Sequence, residues 1–146
     1  MQTITHILHS KSNQAVCRIA PTALVLDALR LLAENRIGAL LVMDGEQIAG
    51  IVSERDYTRK VELVGRLASD TLVSDIMTSS VICVGPDHSS EQCMALMTEN
   101  RLRHLPVVDN GKLLGLISIG DLVKEIISEQ KFAIEQLQHY IHGVHA

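Results

Sequence analysis

A shift of 65 residues lays this chain on itself. Ala33-Glu34-Asn35-Arg36-Ile37 falls on Thr98-Glu99-Asn100-Arg101-Leu102. The same shift puts Pro21 on Pro86, Leu40 on Leu105, Val42 on Val107 and Asp44 on Asp109. It also puts Gly50-Ile51-Val52-Ser53 on Gly115-Leu116-Ile117-Ser118, and Asp56 on Asp121. Between positions 15 and 61 there are 12 identities in 47, without a gap. Other pairs, Ile19/Val84, Ile37/Leu102, Ile51/Leu116 and Val52/Ile117 among them, exchange one aliphatic side chain for another. A duplication fixes the architecture before any single element does, because both copies must form the same unit. We therefore expect two modules, 1–73 with the N-terminal segment and 74–146 with the C-terminal one.

Each copy reads β-α-β-β-α. Residues 16–19 are a short apolar run that stops at Pro21, as a strand does before a turn. From Thr22 the period changes: Val25, Ala28, Leu29 and Leu32 share one helical face. Residues 39–43 and 48–52 are apolar strands joined at Asp44-Gly45. In the second copy the joint is Asn110-Gly111, and both dipeptides tolerate the positive φ of a hairpin turn. A helix follows near Glu54. The second copy repeats the order with a strand at 81–84, a helix at 87–101, strands at 104–108 and 113–117, and a helix from Gly120. Residues 65–74 are small and polar and read as a linker. Val123, Ile126, Ile127, Ile134, Leu137 and Ile141 extend the last helix, with Gly143 as its expected stop. The fold class is α/β (α+β): two modules related by a pseudo-twofold axis, with an extended C-terminal helix whose apolar face is expected to meet another subunit.

Composition narrows the function. With 47% hydrophobic and 21% charged residues, the chain is an ordinary globular one. No apolar run is long enough to span a bilayer, and residues 1–12 lack the pattern of a signal peptide, so a cytoplasmic location is expected. The net charge is −4, and the aromatics are limited to Tyr57, Phe132 and Tyr140. Neither suits a nucleic-acid partner. Cys17, Cys83 and Cys93 form no CxxC pair and read as three buried, reduced thiols. His139, His142 and His145 are better read as cations at a helix end than as a metal site, because no further ligand completes a set.

The repeat carries one chemical motif, Gly-aliphatic-aliphatic-Ser-x-x-Asp, at 50–56 and again at 115–121. Glycine lets another group come close to the strand backbone. Serine at a strand end caps the helix that follows. Aspartate three residues on sits in the first turn, where its carboxylate can accept two hydrogen bonds from a vicinal diol, as acidic residues do with ribose. The helix N-terminus beside it favours an anion. The same spacing is a variant of the capping box, and a single occurrence would be read as capping alone. Two occurrences in register favour a site.

With these residues, Asp75-Ile76-Met77-Thr78 and Arg103-His104-Leu105-Pro106-Val107-Val108-Asp109, the chain resembles the tandem cystathionine beta-synthase (CBS) domain pair, the Bateman module, over about 16–126. Ser53-Glu54-Arg55-Asp56-Tyr57 is similar to stand-alone bacterial pairs and their organellar relatives in plants. The resemblance implies an adenosine ligand: AMP, ADP or ATP, or a relative such as NAD or S-adenosylmethionine. It implies that Asp56 and Asp121 hold ribose, with Ser53 and Ser118 beside them. It places the adenine slot at Ile37-Gly38-Ala39 and Leu102-Arg103-His104, next to Pro106, with strand starts near Gln14-Ala15-Val16 and Ser79-Ser80-Val81. It also implies a homodimer formed through helices, including Val123, Ile126 and Ile127.

Phosphates need cations. Arg55 and Arg59 lie four residues apart on one helical face. Lys60 is equally well read as solvated. The copies differ here, since Glu54-Arg55 becomes Ile119-Gly120 while Gly38-Ala39 becomes Arg103-His104. The two sites are therefore expected to be unequal. No catalytic signature is present, so no catalytic residue, catalytic cofactor or metal is expected. The expected function is that of a regulatory adenine-nucleotide sensor, signalling by a conformational or oligomeric change to an effector protein still to be identified. The alternatives are an interaction module with vestigial sites and, less favoured, a nucleotide-acting enzyme.

Overall fold

The computed structural model describes residues 3–10 and 16–145, the last three as backbone only. Its elements are helix α1 (Ile4–Ser10), strand β1 (Arg18–Ile19), helix α2 (Val25–Asn35), strands β2 (Ala39–Asp44) and β3 (Gln47–Ser53), and helix α3 (Glu54–Tyr57), which runs into a π-helical turn (Thr58–Glu62). Helix α4 (Val73–Ile76) follows, then α5 (Ser90–Asn100), strands β4 (His104–Asp109) and β5 (Lys112–Ser118), and helix α6 (Ile119–His145).

The chain divides into two compact units, Ala15–Ile82 and a second made of Met1–Gln14 with Cys83–Ala146. These compact units part at Ile82, beyond the repeat boundary expected at 73/74. The helix in front of each copy packs on the other copy. In the first unit Val73 and Ile76 of α4 are buried in a core with Val25, Leu32, Leu40, Val42 and Val52. Thr78 then pairs with Ile51, N–H to C=O in both directions at 2.8 and 3.0 Å. In the second unit Ile4 and Ile7 of α1 are buried. The Ile4 N–H donates to the His88 carbonyl at 3.0 Å, and the Thr5 hydroxyl donates to the Pro86 carbonyl at 3.1 Å. Apolar residues three apart, Ile4/Ile7 and Val73/Ile76, share one face of a short helix, and each side chain gains about 1.5–3 kcal/mol by leaving water.

The motif glycines find their reason here. A Cβ on Gly50 would stand 2.6 Å from the Thr78 carbonyl oxygen and 2.9 Å from Met77 Sδ, and one on Gly115 would stand 2.6 Å from Leu8 Cδ2. The group approaching each strand is the helix segment that precedes the other copy.

In the first unit β1 lies parallel to β2, and β2 antiparallel to β3, in the order β1-β2-β3. In the second, β4 and β5 pair antiparallel, and the expected strand at 81–84 is reduced to a bridge between Val84 and Val107. Each hairpin is irregular at the same place, Val42/Met43 and Val107/Val108. Gly45 at φ 62°, and Asn110 and Gly111 at 52° and 79°, turn them as the dipeptides suggest. The expected linker 65–74 is not loose. Thr71 is buried, its carbonyl accepts from Val25 N–H at 2.8 Å, and Val73 N–H donates to the Ala23 carbonyl at 2.8 Å. Nor does Gly143 stop the last helix, which continues to His145.

Helices α2 and α5 end alike, on arginines in the left-handed region: Arg36 at φ 53°, ψ 47° and Arg101 at φ 55°, ψ 43°. The next N–H closes each end, from Ile37 to the Leu32 carbonyl at 3.1 Å and from Leu102 to Met97 at 2.8 Å. A side chain in this region costs about 1–2 kcal/mol, partly offset by the entropy glycine loses on folding. Arg36→Gly and Arg101→Gly are each expected to stabilise by about 0.5–1 kcal/mol, read as a higher urea midpoint at unchanged slope. Ser90 is buried and its hydroxyl has no hydrogen-bond partner. Its counterpart in the first copy is Val25, also buried. Ser90→Ala should add about 1 kcal/mol by the same measurement.

Candidate functional site

Both motifs form the same local structure. Ser53 is the N-cap of α3. Its hydroxyl accepts from Asp56 N–H at 3.2 Å, and Asp56 Oδ2 accepts from Ser53 N–H at 2.9 Å and from the Ser53 hydroxyl at 3.0 Å. In the second unit Asp121 N–H donates to the Ser118 hydroxyl at 3.1 Å, and Ser118 N–H donates to Asp121 Oδ2 at 2.8 Å. Capping is thus a structural job of both pairs. It holds the carboxylate in one orientation, half-buried, at the end of a strand.

The neighbouring strand supplies the adjoining surface. Ala39 pairs with Ser53, and Glu54 N–H donates to the Gly38 carbonyl at 3.1 Å. His104 pairs with Ser118, and Ile119 N–H donates to the Arg103 carbonyl at 2.8 Å. Each unit therefore brings its hydroxyl–carboxylate box against the strand start where the adenine slot was expected. Ile37, Leu102 and His104 are half-buried, and Arg103 is exposed. Pro106 is buried farther along β4, where its carbonyl accepts from Val84 N–H at 2.9 Å. Val16 is half-buried before β1; Gln14 and Ala15 lie outside the described residues. Ser80, exposed, and Val81 precede the second copy in the chain but belong to the first compact unit.

The cations are arranged differently from expectation. Arg55 and Arg59 are exposed and make no ion pair among the described residues. Lys60, read as solvated, instead reaches back to Asp56 Oδ1 at 3.3 Å and donates to the Ile76 carbonyl at 2.8 Å. Both oxygens of Asp56 are therefore engaged. The i,i+4 spacing of Asp56 and Lys60 was the signal for this pair. In the repeat Lys60 corresponds to Glu125. That carboxylate is buried on α6, with His6 Nε2 of α1 at 4.0 Å. Charge asymmetry between the copies thus extends beyond Arg55 and Gly120 to the next turn of the helix.

The π-helical turn after α3 is closed by Leu63 N–H to the Thr58 carbonyl at 3.0 Å. The Tyr57 hydroxyl donates to Glu62 Oε2 at 2.7 Å, and this carboxylate acceptor raises the phenol's pKa. The cysteines are not all buried as expected. Cys93 is buried and its thiol is pushed up to about 11 by desolvation, Cys17 is half-buried, and Cys83 is exposed, with desolvation raising its pKa as well. Neither shifted thiol is an activated nucleophile. His139 and His142 are exposed on α6, and the side chain of His145 lies outside the described residues.

Two copies of one α/β unit, each with a hydroxyl–carboxylate box at the same strand end, define a class of paired modules. The chain belongs to the CBS domain family, whose model matches residues 14–63 and 73–128. The Arabidopsis thaliana CBS domain-containing protein CBSX3, mitochondrial, is 38% identical over 97% of this chain and 72% of its own length. A solved protein with CBS domains from Burkholderia ambifaria MC40-6 is 53% identical at a TM-score of 0.85, over 88% of this chain and 96% of that one. CBSX2, solved in complex with AMP, is 31% identical at a TM-score of 0.73, over 88% and 98%.

Proposed function

We propose that this chain is a regulatory adenine-nucleotide-binding protein. AMP, ADP, ATP or a related adenosine ligand such as NAD would bind through Asp56 or Asp121 and shift conformational or oligomeric populations read by an effector protein. The observation that carries this reading is the pair of fixed boxes, each set against the strand start that the adenine slot requires. The AMP complex of a relative 31% identical supports the ligand class. A non-catalytic role fits the engagement of both carboxylates in helix caps. The same engagement favours the second reading, a structural interaction module, because capping alone accounts for both pairs. We also propose a homodimer. Val123 and Ile127 of α6 are 43% and 47% exposed, and light scattering at micromolar concentration should give twice the chain mass.

Calorimetric titration with AMP and with adenosine tests the ligand reading. Arg55 stands in the first turn of α3 beside Asp56, where a guanidinium suits phosphate. Arg55→Ala should weaken AMP by about tenfold, the contribution of one charge-assisted hydrogen bond, and leave adenosine unchanged. Equal losses would place Arg55 in the support of the fold. No binding of either ligand by the native chain would leave the structural module.

A further inference from the structure

Helix α6 runs on from Glu129 to His145 after the second family match ends at 128, a length of about 25 Å at 1.5 Å per residue. Its side chains from Gln130 to His142 are exposed. Within it Val123, Ile127, Gln130, Ile134, Leu137 and Ile141 follow one another at alternating steps of four and three. This is the 3.5-residue period of a coiled-coil seam, which drifts by about 20° per heptad on a straight helix and stays in register when two helices wind around each other. Ile134, Leu137 and Ile141 are 55%, 63% and 54% exposed.

The sequence of the seam selects the partner. Ile127, Ile134 and Ile141 hold the first apolar position of each heptad, and Leu137 holds the other, the arrangement that favours two parallel strands. Gln130 is the one polar member. In a parallel pair its amide meets the same amide of the second helix. In an antiparallel pair it would face one of the seam isoleucines and be buried without a partner. The flanking positions are Ile126, Lys131, Ala133, Gln138 and Tyr140, with no acid among them. In a parallel pair Lys131 lies beside Ile126 and Gln138 beside Ala133, so identical helices meet without like-charge repulsion, and the lysine stem covers the isoleucine.

We propose that the C-terminal half of α6 forms a parallel, in-register two-stranded coiled coil with the same segment of a second copy of this chain, with Gln130 as its one polar layer. The proposal rests on the seam alone and stands apart from nucleotide binding.

Cross-linking of the full chain tests it. Cys17 and Cys83 are replaced by serine, and Cys93, buried with its thiol raised to about 11, is kept. Leu137→Cys is then compared with His139→Cys, which lies off the seam. Facing residues of a parallel coil meet the Cα separation of a disulfide, roughly 4.4–6.8 Å. Under glutathione disulfide, Leu137→Cys should convert mostly to a covalent dimer and His139→Cys should not. Adding Ile134→Glu should cut the Leu137→Cys yield at least tenfold, and Glu135→Lys should leave it unchanged. Equal cross-linking of the two cysteine variants overturns the proposal. So does a disulfide that needs Ile127→Cys paired with Leu137→Cys, the mark of an antiparallel pair. Association through the modules alone would leave Leu137→Cys unlinked and overturns it as well. AMP calorimetry on the same protein reports the nucleotide reading independently.

Discussion

Ile7→Ala is expected to destabilise the second copy of the repeat by about 2–5 kcal/mol, the usual cost of emptying a buried isoleucine site, and to leave the first copy protected. Ile7 precedes the first copy in the chain but is buried in the unit formed with Cys83–Ala146. Ile76→Ala should do the converse, since Ile76 is buried in the core of Ala15–Ile82. Native-state amide hydrogen exchange separates the two. Ile7→Ala should speed exchange in β4 and β5, and Ile76→Ala in β2 and β3. Faster exchange in β2 and β3 on Ile7→Ala would return the N-terminal helix to its own copy.

The second large effect concerns the two carboxylates. Asp121→Ala removes both the cap and the proposed diol acceptors. It should cost about 1 kcal/mol of stability and roughly ten- to hundredfold in AMP affinity at that site. Asp121→Asn separates the two roles. Its amide oxygen can still accept from Ser118 N–H, so stability should stay within about 0.5 kcal/mol of the native chain, while the lost charge and acceptor weaken AMP about as much as alanine does. Asp56→Asn should act likewise on the other site. Lys60 loses its ion pair at Asp56 Oδ1 and keeps only the Ile76 carbonyl. Calorimetry with AMP and urea denaturation of the same variants give the two readouts. Loss of stability without loss of affinity would reduce the motif to a helix cap.

The repeated core was legible because duplication doubles every signal. Strand and hairpin positions agreed between copies, and β2, β3, β4 and β5 differ from expectation by one residue at their ends. The reciprocal placement of α1 and α4 was not legible. A comparison at one offset covers what the copies share, and these short helices lie outside it, α1 before 15–61 and α4 before 80–126. Their only mark is an apolar pair three residues apart, too little for a periodicity argument. The Gly-aliphatic-aliphatic-Ser-x-x-Asp motif was read as a single chemical device. Its glycine also answers to Met77, Thr78 and Leu8, which the motif does not announce, while its Ser and Asp form the helix cap that their spacing allows. Lys60 is exposed, as helix-surface lysines ordinarily are, and what the sequence reading leaves out is its pairing with the i,i+4 carboxylate of Asp56. Gly143 is not a stop because it stays helical and does not take the left-handed conformation of a C′ residue.

The placement of α1 also sets an order of events during synthesis. The unit Ala15–Ile82 is continuous in sequence and has every part it needs soon after Ile82 has left the ribosome. The other unit joins the two ends of the chain, with Thr5 bonded to Pro86 across 81 residues. Its helix α1 is made before the first unit and must wait, apolar face uncovered, for β4 and β5 to arrive. Folding of the first unit in the meantime turns much of that intervening chain from a flexible loop into a compact body. The copy that is continuous in sequence is thereby complete before the other can close.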